Sequence, residues 1–150
     1  MEFRAITTED LAYMEKYSKE PDCYKETPDK DNFDYALVHE NETLAVGGFK
    51  LMNRHTAVCW FEISDAGRKN IVASVRAIKE FSDGYTDSDG KHQTGFFEEM
   101  NISRAEAYVK VGYEEGVRFV EHCNFSLERR VMSYFGLYPA DVYVKFFDWG

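Results

Sequence analysis

The first part of the chain places apolar side chains at helical spacing. A short apolar segment at residues 3–6 leads into Thr7 and Thr8. Either threonine can cap a helix, because its hydroxyl accepts a hydrogen bond from a free backbone amide. Two acids follow in the first turn, where they complement the positive end of the helix dipole. A helix over residues 8–19 is therefore predicted, with its apolar positions at Leu11, Met14 and Tyr17.

Three strands are predicted after a polar, proline-marked loop at residues 21–32. Residues 33–39 and 43–52 alternate between apolar and polar and flank a polar turn, which is typical of a hairpin. Residues 56–64 alternate most clearly, with Cys59, Phe61 and Ile63 on one face and Trp60, Glu62 and Ser64 on the other. We expect these three strands to form an antiparallel meander.

A long amphipathic helix should follow, capped by Ser64 or Asp65. Its apolar side chains recur every three or four residues and its basic ones fall on the opposite side. The apolar positions are Ile71, Val72, Val75, Ile78 and Phe81. A loop rich in Gly, Asp, Ser and Thr then occupies residues 82–95.

The last third of the chain predicts two more helices and two more strands. Ser103 and Glu106 match a capping box and predict a helix with an apolar stripe. That stripe comprises Ala105, Tyr108, Val109, Gly112 and Tyr113. The remaining elements are predicted as a strand, a helix and a strand, at residues 117–125, 126–135 and 142–149.

The order of these elements predicts the fold class. Hairpin strands come first and strand–helix units later, over one domain of residues 1–150. This order favours an α/β (α+β) fold with a mixed, mainly antiparallel twisted sheet and helices on both faces.

Composition narrows the classes of function. The formal net charge of −9 argues against a nucleic-acid ligand, because proteins that bind phosphate backbones present a basic face. The same charge suits a cationic amine ligand, or serves only to keep the protein in solution. Cys23, Cys59 and Cys123 are scattered and odd in number, which favours reduced thiols in a cytosol. No apolar run is long enough to serve as a leader or a membrane span, so neither is expected.

The element order resembles the GNAT (Gcn5-related N-acetyltransferase) superfamily. Residues 3–11 look like its first strand and acid-rich helix, and residues 36–48 look like its second and third strands. Residues 117–137 are similar to its late strand, with Asn124 ending the strand and Gly136 after the helix. The resemblance implies an acetyl-CoA-dependent N-acetyltransferase acting on an amine. It also implies that the strand at 117–125 lies beside the strand at 56–63 and diverges from it at one end, where the pantetheine arm enters.

A closer resemblance is to a small GNAT-like family of short-tailed bacteriophages, encoded with the internal virion proteins. It depends on Cys59-Trp60-Phe61, on Ser64-Asp65 and on residues 120–136. The resemblance implies a phage product that acts in the host cytoplasm or is carried in the virion.

The candidate cofactor loop departs from the family pattern. GNAT enzymes hold the CoA diphosphate on a glycine-rich turn, where backbone amides and a helix N-terminus face the anion. The corresponding segment, residues 64–70, keeps one glycine and two basic residues but places Asp65 at the anion position. The residues that would contact acetyl-CoA are Ile63, Ser64, Gly67, Arg68, Lys69 and Asn124. Weak or absent acetyl-CoA binding is expected, since Asp65 suits an ordinary helix start better than a phosphate site.

Two residues carry the chemistry that the resemblance implies. Glu62, on the fourth strand, would be the base that deprotonates the acceptor amine, or else an ordinary strand carboxylate. Tyr134 would be the acid if the helix register is shifted, or else a core residue. No metal site is expected, because the histidines lack zinc spacing and Asp87-Ser88-Asp89-Gly90 is interpreted as a turn.

A second class of function stays open beside the enzyme. A GNAT-fold protein without a cofactor would serve as an interaction protein, in virion assembly or in binding and inhibiting a host protein. Aromatic residues make up 16% of the chain, which permits an aromatic surface patch that anchors a partner. We expect self-association or a stable protein complex through residues 84–97 or 143–149.

Overall fold

The computed structural model describes residues 1–18, 32–136 and 138–149. In chain order its elements are β1 (Glu2–Ala5), α1 (Thr8–Tyr17), β2 (Asn32–His39), β3 (Glu42–Leu51), β4 (Thr56–Ile63), α2 (Asp65–Lys69), α3 (Ile71–Asp83), β5 (Tyr85–Thr86), β6 (His92–Gln93), α4 (Phe96–Glu99), β7 (Arg104–Lys110), α5 (Glu114–His122), β8 (Ser126–Phe135) and β9 (Tyr138–Phe146). The loop predicted at 21–32 lies outside the described residues except for its last position.

The main sheet has seven strands in the order β1-β2-β3-β4-β7-β9-β8. The pairs on either side of the centre are antiparallel, and β4 with β7 is the parallel pair. This is the mixed, mainly antiparallel sheet that the element order predicts. The strands β5 and β6 form a separate two-stranded hairpin.

Helices cover both faces of the sheet because successive strand residues point to opposite sides. On one face, Met14 of α1 packs in a cluster with Ala36 and Val46. On the other face, Ala77 and Ile78 of α3 pack against a buried cluster that includes Leu37 and Ala45. The helix α5 shares that second face, where Val120 packs with Ala107, Val109 and Tyr143.

Asp10 ties the N-terminal half of the fold together. Asp10 is 1% exposed, and its side chain accepts two hydrogen bonds from Arg4 and one from Thr43, the latter at 2.9 Å. It also closes the capping box of α1, since it accepts from the Thr7 amide while its own amide bonds the Thr7 hydroxyl. The network continues to Ser64, whose hydroxyl donates to the Thr43 carbonyl at 2.7 Å.

The sequence predicts this half correctly. The helix α1 begins after Thr7, the meander β2–β3–β4 is antiparallel, and Ser64 caps α2. The long helix expected after β4 is divided at Asn70 into α2 and α3. The run at Asp87 forms the turn between β5 and β6, where its carboxylate accepts from two backbone amides.

Three predictions in the last third are wrong. The helix expected from Ser103 is the strand β7, in which Ala105, Ala107 and Val109 are buried in strict alternation. The Ser103 hydroxyl bonds the His55 carbonyl and the Glu106 carboxylate bonds Arg104, so neither forms a capping box. The side chains between the buried ones are charged or amphipathic. This alternation with a period of two predicts a strand, and it outweighs the local capping signal.

The strand expected at 117–125 is the helix α5, and the helix expected at 126–135 is the strand β8. Acids at the start of α5 favour a helix N-terminus, and an apolar residue recurs three positions after Val117 at Val120. The strand β8 has apolar residues at helical spacing, but it pairs with β9 over most of its length with two register shifts. Long-range hairpin pairing therefore overrides the local pattern. The place beside β4 that was assigned to residues 117–125 is occupied by β7.

We expect Asp10→Asn to destabilise the protein by about 2–4 kcal/mol, since it removes charge-assisted hydrogen bonds and half of a capping box. The neighbouring first-turn acid supplies the control, Glu9→Gln, which should change stability by less than about 0.5 kcal/mol. Urea unfolding at pH 7 measures both variants. Equal stability of Asp10→Asn and the wild type would contradict the role given to this network.

The pH dependence of the same network has a definite sign. Burial opposes ionisation of Asp10, but hydrogen bonds from Arg4, Thr7 and Thr43 outweigh it and hold the pKa of Asp10 below its ordinary 3.8. The contribution is therefore complete above pH 3.8 and is lost as the pH falls through the lower pKa of the folded state. The stability gap between wild type and Asp10→Asn should close only in that acid range.

Candidate functional site

The parallel pair at the centre of the sheet is short. The strands β4 and β7 are in register over four residue pairs, from Thr56↔Arg104 to Cys59↔Ala107. Beyond that point β4 stays paired with β3 as far as Ile63, and β7 stays paired with β9 as far as Lys110. The two strands therefore diverge, and a wedge opens in the sheet on the side toward α2 and α5.

The divergence leaves backbone hydrogen-bonding groups along both strand edges. The ladder between the two strands ends at Cys59 and Ala107, so the edge of β4 from Trp60 onward and the edge of β7 from Tyr108 onward face the wedge. Strand edges of this kind can bind an extended ligand through its amide groups, as in strand addition to a sheet. The wedge therefore fits a chain-like ligand that carries both apolar and amide segments.

A cavity of about 870 Å³ fills the wedge and continues between α3 and α5. Its floor includes Phe61, which stacks on Phe119 of α5 with ring centroids 3.9 Å apart. The apolar stripe of α3 lines the opposite wall and is only partly covered, with Ile71 still 42% exposed. An amphipathic helix ordinarily buries this stripe, so its exposure indicates an open apolar groove.

At the mouth of the groove, the turn after β4 is filled by the protein's own packing. The Ser64 side chain is fully buried, accepts from the Gly67 amide and donates to the carbonyls of Thr43 and Leu44. A Cβ at Gly67 would lie 2.1 Å from the Leu44 carbonyl oxygen, so the glycine allows α2 to approach β3. A side chain at position 67 would disturb this packing whether or not a ligand is bound. Ile63 is likewise buried.

Arg68 is a further predicted cofactor contact at this mouth, and it is already in an ion pair with Glu115. Its guanidinium makes two hydrogen bonds to the Glu115 carboxylate of α5, at 2.6 and 3.1 Å. It also donates to the Ile63 carbonyl and lies 3.6 Å from Asp65. The Tyr113 hydroxyl donates to the same Glu115 carboxylate at 3.4 Å. The ion pair thus joins the two walls where β4 and β7 are separated.

The other two predicted contacts lie apart from this pair. Lys69 is exposed at the end of α2. Asn124 does not end a strand. It follows α5 with φ 67°, and its amide donates to the Glu121 carbonyl, which is typical of a residue that terminates a helix. The fold does not gather the six predicted contacts into one cradle.

Glu62 lies at the edge of the groove on β4. Glu62 is 4% exposed, and it lies opposite Val46 of β3 on the face of the sheet that α1 covers. A buried carboxylate is costly in solvation free energy, so it is an unusual strand residue. Position and burial both suit a proton acceptor for a group that enters the wedge.

Tyr134 lies on β8 and not on a helix, so its expected placement is wrong. It stacks on Tyr108 of β7, with ring centroids 4.3 Å apart. Tyr108 itself lines the groove. The helix that does follow the late strand is α5, whose sequence contains no tyrosine, while Tyr113 immediately precedes it at the groove wall.

The two cysteines of the groove are poor nucleophiles. Burial raises the pKa of Cys59 far above its ordinary value and raises the pKa of Cys123 to about 11. Almost no thiolate is present at neutral pH, so these side chains serve as wall and not as reacting groups. Across residues 1–18, 32–136 and 138–149 there is no group of three or more potential metal ligands.

Sequence reasoning missed Glu115, Tyr113 and Tyr108 as residues of the site. The signal that could have found them is the alternation of residues 104–110, which identifies β7 as the late strand. With β7 in place, the acids that follow it begin a helix at the open end of the wedge. The capping-box pattern concealed this alternation.

Comparison of the structure with solved structures shows that the chain has the GNAT fold. A chimera of the spermidine N-acetyltransferase of Vibrio cholerae with hSSAT superimposes with a TM-score of 0.69 at 13% identity, over 97% of this chain and 96% of that one. Ard1 of Thermoplasma volcanium gives 0.66 at 12% identity, over 97% and 96%. The ribosomal-protein-S18-alanine N-acetyltransferase of Escherichia coli gives 0.65 at 9% identity, over 95% and 91%.

Sequence comparison adds no family to this finding. No protein-family profile matches the chain, and a search of curated proteins finds no match. In the part of the chain that the structure describes, no helix combines the length and apolar character needed to cross a membrane.

Proposed function

We propose that this protein is an N-acyltransferase that moves an acyl group, such as acetyl, from a coenzyme A thioester to an amine. The observation that carries the proposal is the divergence of β4 and β7 beyond Cys59 and Ala107 into an 870 Å³ groove. The buried carboxylate of Glu62 lies at the edge of this groove. An apolar groove with a proton acceptor in its lining suits acyl transfer to an amine.

The groove fits the pantetheine arm of the donor, whereas its mouth does not fit the diphosphate. The free strand edges and apolar walls fit the pantetheine arm, which is extended and carries two amides. The turn at Ser64 does not fit the diphosphate, because its capping position is satisfied internally and Arg68 is paired with Glu115. When bound, the donor supplies the activated acyl group. We expect its affinity to be weak.

Glu62 is the residue proposed to move the proton. An amine is protonated at neutral pH and cannot attack a carbonyl until it loses a proton. Glu62 accepts that proton, and the free amine forms the new C–N bond while the thioester C–S bond breaks. The nitrogen loses its remaining extra proton as the amide forms, and that proton restores the acid that protonates the departing sulfur. The departing sulfur needs a proton in turn. Four tyrosines line the groove: Tyr35, Tyr108, Tyr113 and Tyr138. Tyr108, beyond the β4 pairing on β7, and Tyr113, just before α5, are proposed for the acid role that the family resemblance placed on Tyr134.

The acceptor is proposed to be a cationic amine. Two of the structural neighbours act on spermidine and on the alanine of ribosomal protein S18, as their names state. A chain with a net charge of −9 attracts cationic acceptors over anionic ones. Acceptors to test are therefore a polyamine and a peptide with a free N-terminal alanine.

The resemblance of Cys59-Trp60-Phe61 and Ser64-Asp65 to the phage family supports a narrower proposal. The protein would be a phage product that acts in the host cytoplasm or is carried in the virion. Mass spectrometry of purified particles beside infected-cell extract distinguishes these two places.

Glu62→Gln tests the proposed reaction. We expect acyl transfer from acetyl-CoA to fall by at least about 100-fold, since a general base ordinarily contributes that much. Donor affinity by calorimetry should stay within about twofold of the wild type, because the change removes a proton acceptor and not a wall of the groove. Thiol release with each acceptor gives the rate.

Glu42→Gln, an exposed acid on β3, is the matched control and should retain full activity. Wild-type turnover that survives in Glu62→Gln would remove Glu62 from the mechanism. Failure of the wild type to bind any acyl-CoA would overturn the enzyme proposal as a whole.

A second candidate function is a homodimeric interaction protein without a cofactor. The observation that favours it is a set of large apolar side chains exposed on β8 and β9, each more than half accessible: Leu127, Met132, Tyr138 and Phe146. The strand β8 is the last in the sheet order, so its outer edge can continue the sheet. The charges of Glu128 and Arg130 on this strand are already paired within the protomer, with Arg104 and Asp141, so a second copy can add to the edge without burying unpaired charge from these two residues. The occupant proposed for this surface is a second copy of the chain.

Of the aromatic residues expected to mediate self-association, some are buried in the protomer and others are exposed. Phe96, Phe97 and Tyr143 are buried in the protomer, whereas Phe146 is 65% exposed and Trp149 is 36% exposed. We expect the double variant Met132→Ser/Phe146→Ser to be monomeric by light scattering while the wild type is a dimer. Met52→Ser, at another exposed methionine, should stay dimeric. A wild type that is monomeric at every concentration would exclude this candidate.

A further inference from the structure

The Arg68–Glu115 ion pair spans the open end of the wedge between β4 and β7. It joins the start of α5 to the end of β4 across the open end of the wedge, where the two strands no longer pair. The Arg68 side chain is 15% exposed and that of Glu115 is 39% exposed. A partly buried, two-bond contact of this kind is stronger than an exposed pair.

Every nitrogen of the Arg68 guanidinium is directed toward an oxygen of the protein. The Nε and Nη2 atoms donate to Glu115, and Nη1 donates to the Ile63 carbonyl at 3.3 Å. Asp65 adds a second carboxylate at 3.6 Å. An anion that enters the mouth would therefore meet an arginine in which each guanidinium nitrogen already donates one hydrogen bond and whose charge is balanced by Glu115.

The rim farther out has basic side chains that stay accessible. Arg76 and Lys79 of α3 and Arg118 of α5 line the groove or the adjoining cleft. In the described part of the chain, none of the three forms an ion pair. Glu80 and Asp83 lie in the same adjoining cleft, so the charge of the outer rim is mixed. Arg68 at the inner mouth differs from the three rim residues because it is bonded to a carboxylate.

We propose that Glu115 is a specificity-determining residue that occupies the anion position at the mouth of the groove, so that ligands with a diphosphate bind only by displacing it from Arg68. The inference rests on the proposed donor site. It extends that proposal by assigning weak diphosphate affinity to one carboxylate and not to the shape of the groove. Ligands that carry the pantetheine arm without a diphosphate bind without this cost.

Two probes separate the mouth from the groove. Coenzyme A presents the arm and the diphosphate together, whereas pantetheine presents the arm alone. Glu115→Gln keeps the length of the side chain and removes its charge. Glu114→Gln removes the same charge one residue earlier, from an exposed side chain.

We expect Glu115→Gln to bind coenzyme A about tenfold more tightly than the wild type, as expected for loss of one competing charge-assisted pair. Its affinity for pantetheine should not change. Glu114→Gln should change both affinities by less than about twofold, because the exposed charge of Glu114 is screened by solvent and the pair with Arg68 is made by Glu115. In the Glu115→Gln background, Arg68→Gln should reverse the gain. Calorimetry gives the dissociation constants without any turnover.

Each outcome separates this inference from the proposed function. Equal coenzyme A affinity in wild type and Glu115→Gln, with both proteins binding, would overturn the role of Glu115 and leave the donor site intact. An equal gain in Glu114→Gln would also overturn it, since the effect would then be one of net charge. If neither coenzyme A nor pantetheine binds any of these proteins, the donor site and the role of Glu115 are both refuted.

Discussion

The parallel pairing of β4 with β7 ends after four residue pairs, and the rest of the site depends on that ending. Each strand keeps its antiparallel partner on the other side, so neither loses its place in the sheet when they separate. The sheet therefore opens at its centre without becoming two sheets. The groove, its free backbone edges and the position of Glu62 all result from this divergence.

The stability of the two walls comes from different sources. The β4 wall is fixed through a buried polar network that connects Arg4, Asp10, Thr43 and Ser64. The β7 wall is fixed by apolar packing of α5 on Ala107, Val109 and Tyr143. Arg68 and Glu115 join these two independently supported halves at the surface. Such an arrangement lets the contact between the walls change while each wall keeps its own core.

The sequence predicts those elements that depend on local patterns and does not predict those that depend on long-range pairing. The meander and the capped helix α1 depend on local signals, such as the Thr7–Asp10 box and the alternation of residues 56–64, and these are legible. The strand β8 depends on pairing with β9, which supplies hydrogen bonds that no local pattern records. The same limit applies to the site. Glu62 is recognisable by its place on β4, but Glu115 gains its importance only when α5 is brought to the mouth of the groove.

The position of β9 between β7 and β8 has a consequence for how the chain folds during synthesis. The strand that joins the last third of the sheet is also synthesised after every other strand that the structure describes. Until it emerges, β7 presents an uncovered edge and β8 has no neighbour to pair with. The nascent protein must therefore carry its half-built sheet, with an exposed strand edge, until β9 has been synthesised. In that interval it is a candidate client for chaperones that protect unpaired strands.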